Sequence, residues 1–355
     1  MPSTIVRWLL SWILLGPAPQ LRQGAPQRSL QGLRPPADSV YASGDDDRVA
    51  VLELSTGQLT TWYHGQLEHQ CVGRSGSPSD TPQPDVWRLP SSRSPVVPAV
   101  AIHGDSVLIA TAGDAETRVI VLQPGPCRIT AAATVPGFLG KRAAGSAAGW
   151  TLVRETPSEA PRLVFLSRDL SEHRETPPLE MSTPLPAPKY VDVLVAQAGS
   201  RVWLLPKIRY QVVEWMEKDY RWVGRTPRVD LQVDGFEAVG QERLNWLYRM
   251  LEIAPPASKA PLEEMIRQAQ EGKAVAVNVG AVASASARQD RLAVLVRTNR
   301  GRTCRLDLWA LKGSEPSVSS TGIPQECPGF IALSDSSAWL LETTGFREVH
   351  LPDKT

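Results

Sequence analysis

The residues of this sequence that could do acid–base or metal chemistry are few, and most of them fall in predicted turns. Asp45, Asp46 and Asp47 are consecutive, without the alternating ligand positions and the glycine of a calcium-binding loop. His103 precedes a predicted turn and has the chemistry of a general base, but the sequence shows no partner for its imidazole. We therefore interpret the three aspartates as a solvated turn and His103 as an exposed or turn-bonded side chain.

Motifs of nucleophilic, phosphate and zinc chemistry are missing from the sequence. No G-x-S-x-G elbow occurs, and residues 137–141 are too short for a phosphate-binding loop and lack its Ser or Thr. The histidines are scattered, and no Cys-x-x-Cys spacing suggests zinc. The sequence thus predicts no catalytic residue, no metal and no cofactor, and it favours a protein that is not an enzyme. A triad assembled from distant segments stays open.

Charge and the first residues of the chain bear on partners and localisation. The 38 basic and 37 acidic residues are interspersed, which argues against nucleic acid and anionic lipid as partners.

Arg7 precedes a nine-residue apolar run that ends at Gly16 and is followed by Pro17, a pattern typical of a secretory signal peptide. The run is shorter than the roughly 20 residues of a membrane span. We expect residues 1–27 to be a signal peptide or an uncleaved anchor, and the protein to be exported (periplasmic, secreted or envelope-associated).

The four cysteines are an even number in a chain expected to be exported, which predicts one or two disulfides. Three connectivities are open for Cys71, Cys127, Cys304 and Cys327. Cys304 opens a predicted strand, and Cys327 closes the strand that should return beside it. We therefore favour a Cys304–Cys327 disulfide.

A repeated unit of short strands organises the rest of the chain. In residues 199–224, three runs rich in Val, Ile, Tyr and Trp are separated by turn residues, as in consecutive antiparallel strands. The second strand of the unit recurs from Val107 to Trp150 after 43 residues, from Trp150 to Val202 after 52, and from Leu292 to Trp339 after 47. Periods of 40–50 residues with four strands each are typical of β-propeller blades.

The unit resembles, at the level of pattern, the six-bladed propeller superfamily that includes NHL-type and TolB-like propellers. Residues 208–210 with their following polar turn, and residues 222–224, carry the likeness, which covers about residues 30–351. It implies an all-β fold, a six-bladed β-propeller with a small helical insert. The same repeat period leaves two alternatives open, a propeller of seven blades and two packed sandwiches.

The spacing also predicts where each blade lies. The last blade shows only three strands, and residues 30–33 are expected to supply the fourth. Val275 is expected to open the first strand of the fifth blade. Two long gaps hold a Pro/Ser-rich loop at 74–95 and a helical insert at 240–272. The predicted blades span 30–73, 96–136, 138–180, 189–235, 274–328 and 329–355.

Candidate binding residues are the exceptions to an apolar pattern. First strands should line the central channel, and they are dominated by Ala, Val, Gly and Ser. Trp87 in the Pro/Ser-rich loop and Trp246 on the helical insert could anchor a partner, although Trp246 could instead pack the insert onto the ring. The polar residues predicted in first strands are Lys141, Arg142, Asp192, Gln197 and Asn278.

Together these patterns predict an exported, non-enzymatic β-propeller that binds or scaffolds a protein, peptide or glycan. The alternative is a metal-dependent hydrolase or lactonase with its site in the central channel near Asp192 and Asn278, an activity known for propellers that resemble this chain only in fold. A third hypothesis is a structural module of an envelope complex.

Overall fold

The computed structural model describes most of the chain, and nearly all of its regular structure is β-strand. The described residues are 39–73, 98–112, 116–137, 139–156, 159–179, 193–206, 210–224, 234–237, 247–248, 251–252, 256–270, 275–278, 282–298, 303–312, 316–342 and 345–351.

These strands form six antiparallel blades, five with four strands and the last with three, together with one separate two-stranded hairpin. In every blade the strands pair in sequence order, from an inner strand to an outer one. The first three blades are β1 (Ser39–Ser43), β2 (Arg48–Glu53), β3 (Gln58–Tyr63), β4 (Gln66–Val72); β5 (Ala99–His103), β6 (Ser106–Ala112), β7 (Glu116–Gln123), β8 (Arg128–Pro136); and β9 (Leu139–Ser146), β10 (Gly149–Thr156), β11 (Glu159–Leu166), β12 (His173–Glu175).

The chain continues with the fourth blade, the hairpin and the last two blades. These elements are β13 (Val193–Ala198), β14 (Arg201–Pro206), β15 (Val212–Met216), β16 (Asp219–Gly224); β17 (Asp234–Glu237), α1 (Pro256–Gln270), β18 (Val275–Asn278); β19 (Val282–Arg288), β20 (Arg291–Thr298), β21 (Thr303–Ala310), β22 (Ser317–Glu326); and β23 (Phe330–Leu333), β24 (Ser337–Glu342), β25 (Gly345–His350).

The inner strands close a ring. Each inner strand packs against that of the next blade, and β1 packs against β23 to join the first blade to the sixth. Aromatic rings reinforce this closure, with centroids 5.6 Å apart between Tyr41 and Phe330 and 6.3 Å apart between Trp62 and Phe346. The predicted six-bladed β-propeller is therefore confirmed.

Burial explains the composition of the strands. An inner strand has a blade on each side, so β13 is buried along its whole length and is apolar at every position except Gln197. The outer strand β8 instead alternates exposed and half-buried residues over most of its length. The large rings of Trp150, Trp203 and Trp309 are buried between blades. The Trp309 indole Nε1 also donates to the Tyr210 hydroxyl at 2.6 Å.

The insert between the fourth and fifth blades differs from its predicted form. Val275 does not open the inner strand of the fifth blade, because β18 pairs with β17 and the inner strand is β19. Both β18 and β19 are short runs of small residues. What distinguishes β18 from an inner strand is its pairing with β17, in which Glu237 lies opposite Val275. Helix α1 begins at Pro256, and proline suits the first helical position. Residues 30–33 and 74–95 lie outside the described residues.

Strand direction gives the propeller two different faces. Neighbouring strands are antiparallel, so the turns from first to second strands all lie on one face, which we call the turn face. Connections from the outer strand of one blade to the inner strand of the next lie on the other face, which we call the insert face. The long segments that follow β4 and β16 both start and end there. The helices that the structure describes are too short or too polar to span a membrane.

Candidate functional site

A turn of the first blade, Asp45–Asp47, crosses the turn face and connects the first blade to three others. Asp45 Oδ1 lies 2.6 Å from Nδ1 of His103 in the second blade. Its Oδ2 accepts a hydrogen bond from the Gly199 backbone N–H in the fourth blade, at 2.9 Å. Its backbone carbonyl accepts one from Nη1 of Arg288 in the fifth blade, at 3.0 Å. One short turn thus cross-links blades that are not neighbours in the ring.

The backbone of this turn is adapted to a crowded position. A Cβ on Gly44 would lie 2.8 Å from the carbonyl oxygen of Ile102, so only glycine allows this approach. Asp47 has φ of 66°, a left-handed conformation that Asp tolerates better than most residues. Asp46 Oδ2 accepts from the Gly104 N–H at 2.7 Å and from Arg48 Nη1 at 2.9 Å. The turn is therefore held against the second blade at both its backbone and its side chains.

Arg288 is the cation of this cluster. Its Nη1 lies 3.0 Å from Asp47 Oδ1, and its Nε and Nη2 donate to the two oxygens of Asp335 in the sixth blade at 2.8 and 2.9 Å. The hydrogen bond to Asp335 is the main cause that raises the pKa of Arg288, against the opposing effect of burial. Burial raises the pKa of Asp47 despite the nearby charges of Arg288 and His64. Of the two charges that favour the ionised form of Asp47, Arg288 therefore has the larger effect.

Uncharged hydrogen bonds continue the cross-linking between the third and fourth blades. Gln197 Nε2 donates to Ser146 Oγ at 2.8 Å, and Thr151 Oγ1 donates to Gln197 Oε1 at 2.9 Å. Ser146 Oγ in turn donates to the carbonyl oxygen of Gly199 at 2.6 Å. Gln197, expected from the sequence to be a polar channel residue, is buried and satisfied by its neighbours.

The sequence interpretation of Asp45, Asp46 and Asp47 as a solvated turn is wrong. Their side chains are 12%, 21% and 4% exposed, and His103 has a carboxylate partner 58 residues away. Ligand atoms of Asp45, Asp46 and His103 all lie within 4.8 Å of one another, a spacing that could suit a divalent cation. However, both Asp45 oxygens and Asp46 Oδ2 already accept hydrogen bonds that join blades. The arrangement therefore fits a structural cross-link better than a metal site.

The pKa of Asp45 gives a test of that cross-link. Burial alone would raise this pKa, but the hydrogen bonds from His103 and the Gly199 N–H, with the His103 charge, lower it below the ordinary 3.8. A lowered folded-state pKa means that the stabilisation is complete above pH 3.8 and is lost as the pH falls through the folded value.

We expect Asp45→Asn to lower the free energy of unfolding by about 2 kcal/mol at pH 7, because a charged acceptor of two hydrogen bonds is lost. At pH 3 the difference from the wild type should be smaller. Urea unfolding at the two pH values measures this, with Asp105→Asn, an exposed turn aspartate of the second blade, as the control. An equal loss at both pH values would show that the charge of Asp45 is not the source of the effect.

Two arginines of non-adjacent blades lie in the halves of their strands nearer the insert face. Arg142 lies on the inner strand β9 and Arg297 near the end of β20. Arg142 Nε is buried and has no hydrogen bond within the described part of the chain. Arg297 Nη1 donates to the carbonyl oxygen of Val282, the first residue of β19, at 3.5 Å. Burial, and secondarily the charge of Arg142, lowers the pKa of Arg297. Arg297 was not predicted from the sequence, although it is a charged residue at the end of an apolar strand.

The other predicted binding residues are not brought together by the described structure. Lys141 is next to Arg142 in β9, but its side chain is outside the description. Asn278 lies in the insert hairpin rather than in an inner strand. Trp87, Asp192 and Trp246 are outside the described residues, and their roles stay predictions.

Two disulfides are present, one within the fifth blade and one between the first and second blades. Cys304 is bonded to Cys327, the pair that the strand order favoured. Cys71, in the outer strand of the first blade, is bonded to Cys127 in a turn of the second blade.

Comparison with known proteins identifies no family for this chain. No model of a known protein family matches the sequence, and no curated protein sequence matches it. The chain is similar to apo AztD from Citrobacter koseri, at 11% identity over 85% of this chain and 79% of that one, with a TM-score of 0.40. It is also similar to the Cps50 (Swd1) β-propeller domain from Myceliophteria thermophila, at 12% identity over 92% of this chain and 100% of that one, with a TM-score of 0.42. The WD40 repeats of RRP9 are similar at 10% identity over 91% of this chain and 82% of that one, with a TM-score of 0.40. At such identities, function has to be argued from the residues.

Proposed function

We propose that this protein is an exported, non-enzymatic binding or scaffolding module that holds a protein, peptide or glycan partner on its insert face. The observation that carries the proposal is the difference between the two faces. On the turn face, hydrogen bonds and ion pairs of the Asp45–Asp47 turn join the blades to one another. On the insert face, the chain leaves and returns through its longest connections, one of which contains α1.

An added element on a rigid ring is well suited to recognition. The inner strands fix the ring by close packing, so a connection can vary in length and shape without disturbing the fold. Helix α1 presents exposed polar residues, including Lys259 and Glu263, and its ends are joined by the β17–β18 hairpin. The insert therefore presents a helix with exposed polar side chains, as a binding element requires.

Export is supported by sequence and by the disulfides. Residues 1–27 have the features of a signal peptide, and two disulfides are expected of a protein that folds in an oxidising compartment. The hydrolase alternative was based on Asp192 and Asn278. It loses the second of these, since Asn278 lies in the hairpin and not in an inner strand.

Site-specific crosslinking tests the proposed binding face. We expect a photo-crosslinking amino acid at Lys259 on α1 to capture a partner in the compartment to which the protein is exported. The same group at Lys218, an exposed turn residue of the fourth blade on the turn face, should capture none. Equal capture at the two positions, or capture only at Lys218, would contradict the proposal.

A deletion variant provides the second measurement. Glu237 and Val275 face each other in the hairpin, so an Asn-Gly turn can replace residues 238–274 without opening it. This variant should keep the circular dichroism spectrum of a β-protein and lose the partner. A folded deletion variant that still binds the partner would place binding elsewhere.

A further inference from the structure

We infer that the Cys71–Cys127 disulfide is a site of thiol–disulfide exchange, at which a dithiol reductant attacks Cys127 and His69 protonates the departing Cys71. This inference goes beyond the proposed function, because it concerns a reaction at the contact between the first two blades and not the binding of a partner on the insert face.

The two sulfur atoms of this bond differ in accessibility. Cys71, on β4, is 2% exposed and belongs to the apolar core between the first and second blades. Cys127 is half-buried, and its neighbours Gly125, Pro126 and Arg128 are exposed. An attacking thiolate needs an open approach to the sulfur with which it reacts. Cys127 is therefore the sulfur that a reductant can reach.

The backbone at Cys127 favours opening of the bond. Cys127 has φ of 54°, in the left-handed region that residues other than glycine rarely adopt. It closes the short turn between β7 and β8, where its N–H donates to the carbonyl oxygen of Pro124 at 3.2 Å. The bond to Cys71 joins this turn to the first blade. Cleavage of that bond therefore lets the turn leave a costly conformation.

The departing Cys71 needs a proton donor, because its thiolate would be left among apolar side chains such as that of Leu59. His69 lies two residues before Cys71 on β4, so the two side chains are on the same face of the strand. Its imidazole packs against the turn that carries Cys127, since a Cβ on Gly125 would lie 3.3 Å from His69 Cε1. His69 is thus placed to supply the proton.

The exchange proceeds in two steps that balance in electrons and protons. A thiolate of the dithiol attacks Cys127 Sγ and forms a mixed disulfide, and the electron pair of the broken bond goes to Cys71 Sγ, which takes a proton from His69. The second thiol of the reductant then attacks its own sulfur in the mixed disulfide and gives its proton to the departing Cys127. The reductant ends as a disulfide, having lost two electrons, and the protein ends with two thiols. His69 recovers through water the proton that the first thiol of the reductant released.

Reduction of the full-length protein by dithiothreitol tests the site. Samples are alkylated at intervals at pH 7, and mass spectrometry measures the modification of each cysteine, so that Cys304–Cys327 is a control within the same molecule. We expect Cys71–Cys127 to be reduced about tenfold faster than Cys304–Cys327. His69→Gln should slow the first reaction about tenfold and leave the second unchanged. A substitution that only loosened the fold would speed reduction, so a slower rate reports the lost proton donor.

Single-cysteine variants test which sulfur is accessible. Cys71→Ala leaves Cys127 as a thiol that should form a mixed disulfide with glutathione disulfide. Cys127→Ala leaves the buried Cys71, which should react about tenfold more slowly. The inference is wrong if Cys304–Cys327 is reduced as fast as the first bond, if His69→Gln does not slow reduction, or if Cys71 reacts as fast as Cys127. Circular dichroism establishes that each variant is folded, and the comparison of the two disulfides in the wild type needs no variant.

Discussion

Replacing Arg288 with Met is expected to lower the free energy of unfolding by about 3 kcal/mol at pH 7, because the buried carboxylate of Asp47 loses its arginine partner. The other basic neighbour of Asp47, His64, is largely exposed to solvent. Asp47 is 4% exposed and lies 3.0 Å from Arg288 Nη1. The more exposed Asp335 loses its two hydrogen bonds as well, but solvent screens that loss. Urea unfolding measures the change, and Arg128→Met, an exposed arginine on β8, is the control.

The same variant should depend on pH in a defined direction. The pKa of Asp47 is raised in the folded protein, so its ionisation opposes folding as the pH rises through the folded value. Without Arg288 that opposition is larger, and the stability deficit should grow between pH 4 and pH 7. Adding Asp47→Asn to the variant should recover part of the loss, since no buried charge then remains. A deficit that does not change with pH, or two additive losses, would show that Arg288 does not act through Asp47.

The fold could be predicted because each blade repeats the same local pattern of apolar strands separated by turn residues. The second strand that was expected to recur at Val202 lies there as β14, and β13 ends just before the turn that precedes it. Both are apolar runs bounded by the turn at Gly199, and such turns recur every 40–50 residues. The assignment failed at β18 because its small apolar residues resemble those of β19. Only its pairing with β17, about 40 residues earlier in the chain, separates the two.

The candidate site was harder to predict because its contacts are distant in sequence. Asp45, Asp46 and Asp47 form a polar turn by any local criterion, and most such turns are solvated. Their burial follows from where the first blade points its turn, toward His103, Gly199 and Arg288, the last of which is 243 residues from Asp45. Arg142, by contrast, was identified because a charge on an apolar inner strand is visible without any partner.

Removing the Cys71–Cys127 disulfide is expected to cost about 4 kcal/mol of stability, because the bond closes a loop between residues 56 apart in sequence. In the folded protein it joins β4 of the first blade to the second blade, next to a segment, residues 74–97, that the structure does not describe. The double change Cys71→Ala with Cys127→Ala avoids a free thiol. Guanidinium unfolding of this variant measures the loss.

The second disulfide is the matched control for that measurement. Cys304 and Cys327 are only 23 residues apart, so their removal should cost about 3.5 kcal/mol, somewhat less than that of the first pair. If the order is reversed, native packing around the sulfurs outweighs the entropy of the unfolded chain. With both bonds absent, the two losses act on different blades and should add. The protein should then fold poorly in a reducing cytoplasm, and the yield of folded protein there, compared with an oxidising compartment, measures this.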